Sequence, residues 1–131
     1  MQGEKAIEML IGTENKTGKL AEVAGAITGS GVNIKSVSAW AADSKAFFRL
    51  VTSDNSKIKE ALKGLGNIEE KEVIIVNLPD EIGQLAMLVA KLKAREIDLN
   101  YIYGTTAEPG KSSIIIFSSN NNDAALEALA D

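Results

Sequence analysis

The segment from Thr13 to Ile34 restricts the fold more than any other part of this chain. Every second residue just before it is apolar, which predicts a strand: Ile7, Met9 and Ile11. Within it, four apolar residues recur at the spacing of one helix face: Leu20, Val23, Ala24 and Ile27. Gly29 and Gly31 then favour the end of the helix, because glycine readily takes the left-handed conformation of a helix C-cap. The segment therefore predicts a strand, a turn, a helix and a second strand.

A polar motif opens that helix and a glycine motif follows it. The residues are Asn15-Lys16-Thr17-Gly18, then Leu20, then Gly31-Val32-Asn33-Ile34. At this spacing they resemble the ACT domain, a small ligand-binding regulatory module of amino-acid metabolism. The family commonly has proline where Thr17 stands, so one position departs from its pattern. The resemblance implies ferredoxin-like units that pair side by side or face to face.

The composition favours a soluble globular protein. The chain has 131 residues, of which 45% are hydrophobic and 24% are charged, enough for one ordinary domain or two small ones. No apolar run approaches the roughly 20 residues of a membrane span, and residues 1–5 lack the basic and apolar regions of a signal peptide. We therefore expect a cytoplasmic protein that has no contact with a membrane.

The absence of histidine and cysteine excludes common kinds of chemistry. Histidine is the commonest general base and the commonest zinc ligand, and without cysteine there are no disulfides. We expect no catalytic residues, no metal and no cofactor, and hence no enzyme. The net charge of −4 and the 5% content of aromatic residues also argue against nucleic-acid binding, which needs basic patches and stacking rings.

A repeat becomes visible when the sequence is shifted by 65 residues. Gly18 then falls on Gly83, and Asn33 falls on Asp98. Apolar residues coincide as well, without a gap as far as Ser53: Leu20 with Leu85, Leu50 with Ile115, and Val51 with Ile116. The match predicts two copies of one unit, at residues 1–70 and 71–131.

Each copy reads as βαββα, and residues 67–72 offer a fourth strand for the first copy. We predict strands at residues 5–12, 32–41, 46–53, 73–78, 99–106 and 112–119, and helices at 19–28, 54–63, 84–95 and 123–130. Asp54 or Asn55 is the expected N-cap of the second helix. The fold class is α+β, with two tandem ferredoxin-like (βαββαβ) ACT units whose antiparallel sheets carry helices on one face. The final strand of the second unit is missing from this prediction.

Two strands lack the polar alternation expected of a sheet face that is open to solvent. They are Val73-Ile74-Ile75-Val76 and Ile114-Ile115-Ile116-Phe117. Either they are buried on both faces inside one chain, or a second chain covers them. We favour the second chain, and thus a homodimer or larger assembly.

The candidate ligand site is the turn that opens the first helix, together with the start of the next strand. Free backbone N–H groups at a helix N-terminus attract an anion such as the carboxylate of an amino acid. The resemblance implies that Asn15 and Asn33 hold the ligand, often across a subunit interface, unless Asn15 merely caps the helix and Asn33 merely fits a turn. The predicted ligand-binding residues are Thr13, Glu14, Asn15, Lys16, Thr17, Gly18, Lys19, Leu20, Asn33 and Ile34.

The equivalent residues in the second copy are Asp80, Gly83 and Asp98. The carboxylates of Asp80 and Asp98 would repel a ligand carboxylate and attract its ammonium group, and Asp80 could instead be the N-cap of the helix.

Two functions remain open. The first is a non-catalytic regulatory protein that binds a small molecule, an amino acid in the first instance, and modulates its own assembly or a partner enzyme. The alternative is a structural or interaction module with degenerate ligand sites.

Overall fold

The computed structural model has six strands and four helices, and it describes residues 1–131 except for the side chain of Ala107. The elements follow the predicted order, with bounds that differ by a few residues. They are β1 (Gly3–Glu14), α1 (Lys19–Gly29), β2 (Ile34–Ala42), β3 (Lys45–Thr52), α2 (Asn55–Leu62), β4 (Asn67–Pro79), α3 (Gln84–Ala94), β5 (Leu99–Glu108), β6 (Ser112–Ser119) and α4 (Asn122–Ala130).

The chain divides into two compact units, and the division differs from the predicted one at residue 70. The first unit is Ile7–Lys71, and the second unit is Met1–Ala6 together with Glu72–Asp131. Strands β1 and β4 therefore each contribute residues to both units. Within the first unit the strand order is β2-β3-β1-β4, and within the second it is β5-β6-β4-β1. The same antiparallel, ferredoxin-like arrangement thus occurs twice, as predicted.

The first residues of the chain supply the strand that the sequence left missing from the second unit. Gly3 lies so close to α4 and β4 that an added Cβ would meet Ile74 Cγ2 at 2.9 Å and Leu126 Cδ2 at 3.2 Å. The Lys5 ammonium pairs with Glu72, at 3.6 Å, and with Asp123. Packing and charge together therefore hold residues 1–6 in the second unit.

Each unit has one hydrophobic core between its sheet and its two helices. In the first unit β1 contributes Met9 and Ile11, while β3 contributes Phe48 and Leu50. The helices contribute pairs at i and i+4, which lie on one helix face: Val23 with Ile27, and Ile58 with Leu62. The second core is built in the same way around Ile74, Val76, Phe117, Leu88 and Leu92.

The helices bury less of their apolar surface than the sequence predicted. Leu20 and its counterpart Leu85 were expected on the apolar helix face, but they are 53% and 52% exposed. Helices α1 and α3 have 11 residues each, and each buries one i, i+4 pair, Val23 with Ile27 and Leu88 with Leu92. Leu20 and Leu85 lie three residues before these pairs, in the first turn of each helix, and remain half exposed.

The register of β4 with β6 differs from the one that the predicted repeat implies. Met9 lies opposite Leu50, whereas its counterpart Ile74 lies opposite Phe117, two residues beyond the predicted Ile115. The hairpin of β5 and β6 is longer, and it turns at Gly110 with a positive φ of 80°. A shift of two residues keeps every side chain on the same face of the sheet. Because residues 114–116 are all isoleucine, the sequence does not reveal which register is adopted.

Within a single chain, the apolar strands are buried at some positions of both faces and half-buried at others. Ile74 and Phe117 belong to the core of the second unit. Val73 and Ile116 lie at positions of opposite pleat, and they are 0% and 3% exposed with one chain alone. Val73 and Ile116 thus need no second chain to be buried, whereas Ile75 and Ile114 on the same face are only half-buried, so a covering second chain, and with it the dimer, stays a prediction.

Candidate functional site

The predicted ligand turn of the first unit is a compact loop between β1 and α1. The Asn15 N–H donates to the Ser44 carbonyl at 2.9 Å, which ties the loop to the β2–β3 hairpin. The Lys16 N–H donates to Glu14 at 3.1 Å, and the Lys19 N–H donates to Lys16 at 3.2 Å. These bonds fix the backbone from Glu14 to Lys19 and leave the side chain of Asn15 exposed to solvent.

Helices α1 and α3 begin without a side-chain cap. Each follows a glycine in the left-handed region, Gly18 at φ 89° and Gly83 at φ 91°. Asn15 and Asp80 are therefore not N-caps, which was the alternative role considered for each of them. The first-turn N–H groups have no partner inside the helix, and they carry the positive end of the helix dipole.

Helices α2 and α4 begin differently, because a side chain caps each of them. The Asp54 carboxylate accepts from the Lys57 N–H at 3.2 Å, which confirms one of the two predicted caps. The Asn121 side chain accepts from the Ala124 N–H at 3.0 Å. The helix without a side-chain cap is thus α1 in the first unit and α3 in the second.

Charged side chains surround the open start of α1. Glu14 and Lys16 form a salt bridge of 2.8 Å, and both side chains are largely exposed. The hydrogen bond from Lys16, together with the charge of that lysine, lowers the pKa of Glu14. Lys19 pairs with Glu22 at 3.1 Å. Thr13 is buried at the end of β1, and its hydroxyl donates to the Glu14 carbonyl at 3.0 Å.

A cleft of about 530 Å³ lies beside this turn. Its walls are formed by the end of β1, the start of α1, the start of β3 and the turn between α2 and β4. The lining residues are Gly12, Thr13, Glu14, Lys19, Lys45, Lys63, Gly64, Leu65, Gly66 and Asn67. Lys45 and the segment 63–67 were not predicted as site residues. The antiparallel pairing of β1 with β3 places Lys45 opposite Glu14, so a predicted register of these two strands would have been the signal for it.

The turn of the second unit also ends at a left-handed glycine, but its acidic residue, Asp80, is engaged in hydrogen bonds. The Asp80 carboxylate accepts from the Gly110 N–H at 2.7 Å and lies 3.4 Å from the Thr106 hydroxyl. Asp80 thus binds the β5–β6 hairpin of its own unit. A cleft of about 320 Å³ adjoins this turn, lined by Leu78, Pro79, Asp80, Glu81, Gln84, Leu85, Gly104, Thr105, Thr106, Ser113 and Ile115.

The structure does not bring Asn33, Ile34 and Asp98 to these turns within their own units. The Ser53 N–H donates to the Asn33 carbonyl at 2.9 Å, and the Asn120 N–H donates to that of Asp98 at 3.0 Å. Both positions therefore lie where the third strand of the unit ends. Ile34 begins β2 there, opposite Thr52. Helix α1, with 11 residues and thus a length of roughly 16 Å, separates Asn33 from the turn at Asn15.

Over the described residues, no group of three or more acidic side chains is arranged to bind a metal ion. Every described helix is too short or too polar to traverse a bilayer.

The chain matches one family model and is similar in fold to several solved structures. A family model described as an ACT domain pair matches residues 5–131. No curated protein sequence matches the chain. A crystal structure of a protein from Bacteroides thetaiotaomicron superposes with a TM-score of 0.89 at 23% identity, over 98% of this chain and 88% of that chain.

Two aspartate kinase structures also superpose. The ligand-free regulatory subunit from Thermus thermophilus gives a TM-score of 0.68 at 16% identity, over 97% of this chain and 91% of that chain. Aspartokinase III from E. coli, in complex with aspartate and ADP, gives 0.60 at 15% identity, over 97% of this chain and 31% of that chain. At these identities, the likeness concerns the fold.

Proposed function

We propose that this chain, which belongs to the ACT domain pair family, is a non-catalytic regulatory protein that binds a small molecule, an amino acid in the first instance. One observation carries the proposal. In each unit, the helix after the first strand begins at a left-handed glycine without a side-chain cap, while the other helix is capped. A cleft adjoins each open helix start.

An amino acid suits the open start of α1 on chemical grounds. Its carboxylate would accept from the first-turn N–H groups of Leu20 and Ala21, where the helix dipole favours an anion. The Asn15 side chain is exposed beside these groups, and it can accept from an ammonium or donate to a carboxylate. The turn from Thr13 to Leu20 is thus our proposed ligand site.

The proposed mode of action is regulation of an assembly rather than chemistry. One similar structure is the regulatory subunit of an aspartate kinase, and we propose that this chain likewise serves a partner enzyme or its own oligomer in the cytoplasm. Leu20 and Leu85, beside the two open helix starts, are each about half exposed. An exposed apolar residue beside each site offers a place where a second copy could bind and sense the ligand.

The second unit supports a weaker site. Its Asp80 carboxylate already accepts from Gly110, so a ligand ammonium would have to compete with that hydrogen bond. This observation favours the alternative function, a structural or interaction module, for the second unit alone. Gly83 would still offer an open helix start there, as Gly18 does in the first unit.

A thermal-shift screen against the twenty amino acids, followed by titration calorimetry on variants, tests the proposal. We expect Asn15→Ala to weaken binding about 10- to 100-fold, because it removes a hydrogen bond to a charged ligand group. Asn77→Ala, an exposed asparagine on β4 away from the turn, is the matched control and should bind like wild type.

Asn33→Ala reports on assembly in the same experiment. Within one unit Asn33 lies at the far end of α1, so it can affect this ligand only from a neighbouring copy. A weakening by Asn33→Ala should therefore accompany a mass of at least twice 13.9 kDa in light scattering. If neither variant weakens binding, the site lies elsewhere. If no amino acid shifts the melting temperature at millimolar concentration, the structural module becomes the better description.

A further inference from the structure

The cleft beside the first turn carries an unbalanced charge. Three of the residues that line it are lysines, namely Lys19, Lys45 and Lys63. Glu14 is the only acidic residue in the lining. The second unit has no such group. Gln84 begins α3 as Lys19 begins α1, and Ser112 lies opposite Pro79 as Lys45 lies opposite Glu14. The positive charge is thus a property of the first unit and not of the repeat.

The three lysines are available to a ligand. No ion pair within the described residues involves Lys45, which is exposed at the start of β3. Lys63 pairs with Glu60 at 3.3 Å, but both side chains are at least 70% exposed. Lys19 pairs with Glu22 three residues along the same helix. The Lys19 side chain is 21% exposed, whereas the exposed pair of Lys63 and Glu60 contributes little, so a bound anion can replace the latter.

The single acidic residue of the cleft is compensated from outside it. Glu14 forms its salt bridge with Lys16, which does not line the cleft. The proximity of Lys16 lowers the pKa of Glu14, and the carboxylate is therefore ionised and paired at neutral pH. The charge that faces the cleft from the remaining side chains is positive.

The floor of the cleft is bare backbone. A Cβ on Gly66 would overlap the carbonyl group of Gly12, so no other residue fits at that position without a shift of the main chain. At Gly64, nothing lies within 4 Å of an added Cβ, which leaves the mouth open. Lys63, at the C-terminal end of α2, also offsets the negative end of that helix dipole. A small polar molecule can therefore approach the three lysines closely.

We propose that this cleft selects a small ligand that carries at least two negative charges, either a dicarboxylate or a phosphorylated compound. The proposal rests on the ligand-binding function proposed above, and it names the chemical class for the first unit. One anionic group would lie at the open start of α1, and the other would lie among Lys45 and Lys63. A neutral amino acid would use the first of these contacts only.

Titration calorimetry on the full chain, with succinate and inorganic phosphate as probes and putrescine as the cationic control, tests this class. We expect the anions to bind and putrescine not to bind. Binding of succinate alone indicates a dicarboxylate, and binding of phosphate alone indicates a phosphorylated ligand. Lys45→Gln and Lys63→Gln should each weaken binding of the anion about 3- to 10-fold.

Two more variants separate the cleft from the net charge of the protein. Lys57→Gln changes the charge equally on an exposed face of α2 outside the cleft, and it should leave the affinity unchanged. Glu14→Gln removes the acidic residue and should strengthen binding about 3-fold. Equal losses in Lys57→Gln and Lys45→Gln overturn the proposal. It is also overturned if both anions fail to bind while an amino acid binds in an Asn15-dependent manner, although the proposed function then stands. If nothing binds, both proposals fail.

Discussion

The turn that precedes α1 and the turn that precedes α3 have the same backbone and different chemistry. Gly18 and Gly83 have φ values of 89° and 91°, and each accepts the first hydrogen bond of its helix, at 3.0 Å from Glu22 and at 2.9 Å from Met87. The side chains differ, since Asn15 is free to meet a ligand whereas Asp80 accepts from Gly110 in its own hairpin.

This difference separates what the repeat must preserve from what it can change. The fold needs the left-handed glycine and the apolar pairs on the helix, and both units keep them. It does not need a particular side chain in the turn, and the units have diverged there. A ligand site in one unit is therefore weak evidence for a site in the other.

The largest effect should come from Gly66 and Gly104, one crowded glycine in the lining of each cleft. Gly66→Ala should lower the free energy of unfolding by about 3 kcal/mol, because its Cβ would overlap backbone atoms of Gly12 that cannot move alone. Gly104→Ala should cost less, about 1–2 kcal/mol, because the nearest atom is the flexible end of Ile115, although the Ile114 carbonyl oxygen at 2.8 Å also resists.

Denaturant titration of the two variants measures these differences. Gly64→Ala, with open space around its added Cβ and an ordinary φ, is the control and should stay within about 0.5 kcal/mol of wild type. Equal costs for Gly66→Ala and Gly64→Ala would show that the close contact with Gly12 is not rigid.

The second effect concerns the feature that the two turns share. Gly18→Ala and Gly83→Ala should each cost about 1–2 kcal/mol, because a side chain at positive φ is strained even though nothing crowds it. Gly25→Ala, inside α1 at an ordinary φ, should instead stabilise by about 0.5–1 kcal/mol. Denaturant titration should give the same sign and size at positions 18 and 83. A marked difference between them would contradict the equivalence of the two turns.

The sequence predicted the elements of this fold well because their signals are local. Alternation in residues 7–11, helical spacing from Leu20 to Ile27 and glycine at the helix ends depend only on near neighbours. The Asp54 cap could be predicted for the same reason. The family model over residues 5–131 confirms the ACT resemblance that these local motifs carried.

Other features depend on contacts between distant residues, and the sequence did not reveal them. The first six residues belong to the second unit because Gly3 packs on Ile74 and because Lys5 pairs with Glu72 and Asp123. Burial of Val73 and Ile116 within one chain likewise depends on tertiary structure, and an apolar run alone cannot tell what covers it.

The cleft residues were missed for a related reason. Lys45 lies opposite Glu14 through the pairing of β1 with β3, and the turn between α2 and β4 brings Lys63 and Gly66 to the same cleft. Local sequence patterns indicate only the turn from Thr13 to Gly18. Half of the candidate site is therefore formed by residues that no local pattern connects with that turn.

The smallest effect tests the difference between the turns directly. Asp80→Ala should lower the free energy of unfolding by about 1 kcal/mol, because the Gly110 N–H loses a charged acceptor, and exposure to water keeps the loss modest. Asn15→Ala should change it by less than about 0.5 kcal/mol, because the bond to Ser44 uses the backbone N–H that alanine retains. In ligand binding we expect the opposite ranking, with a large loss for Asn15→Ala and little for Asp80→Ala. If both variants lose stability and binding equally, then the two turns play the same role, and the division between a ligand-binding turn and a structural turn is wrong.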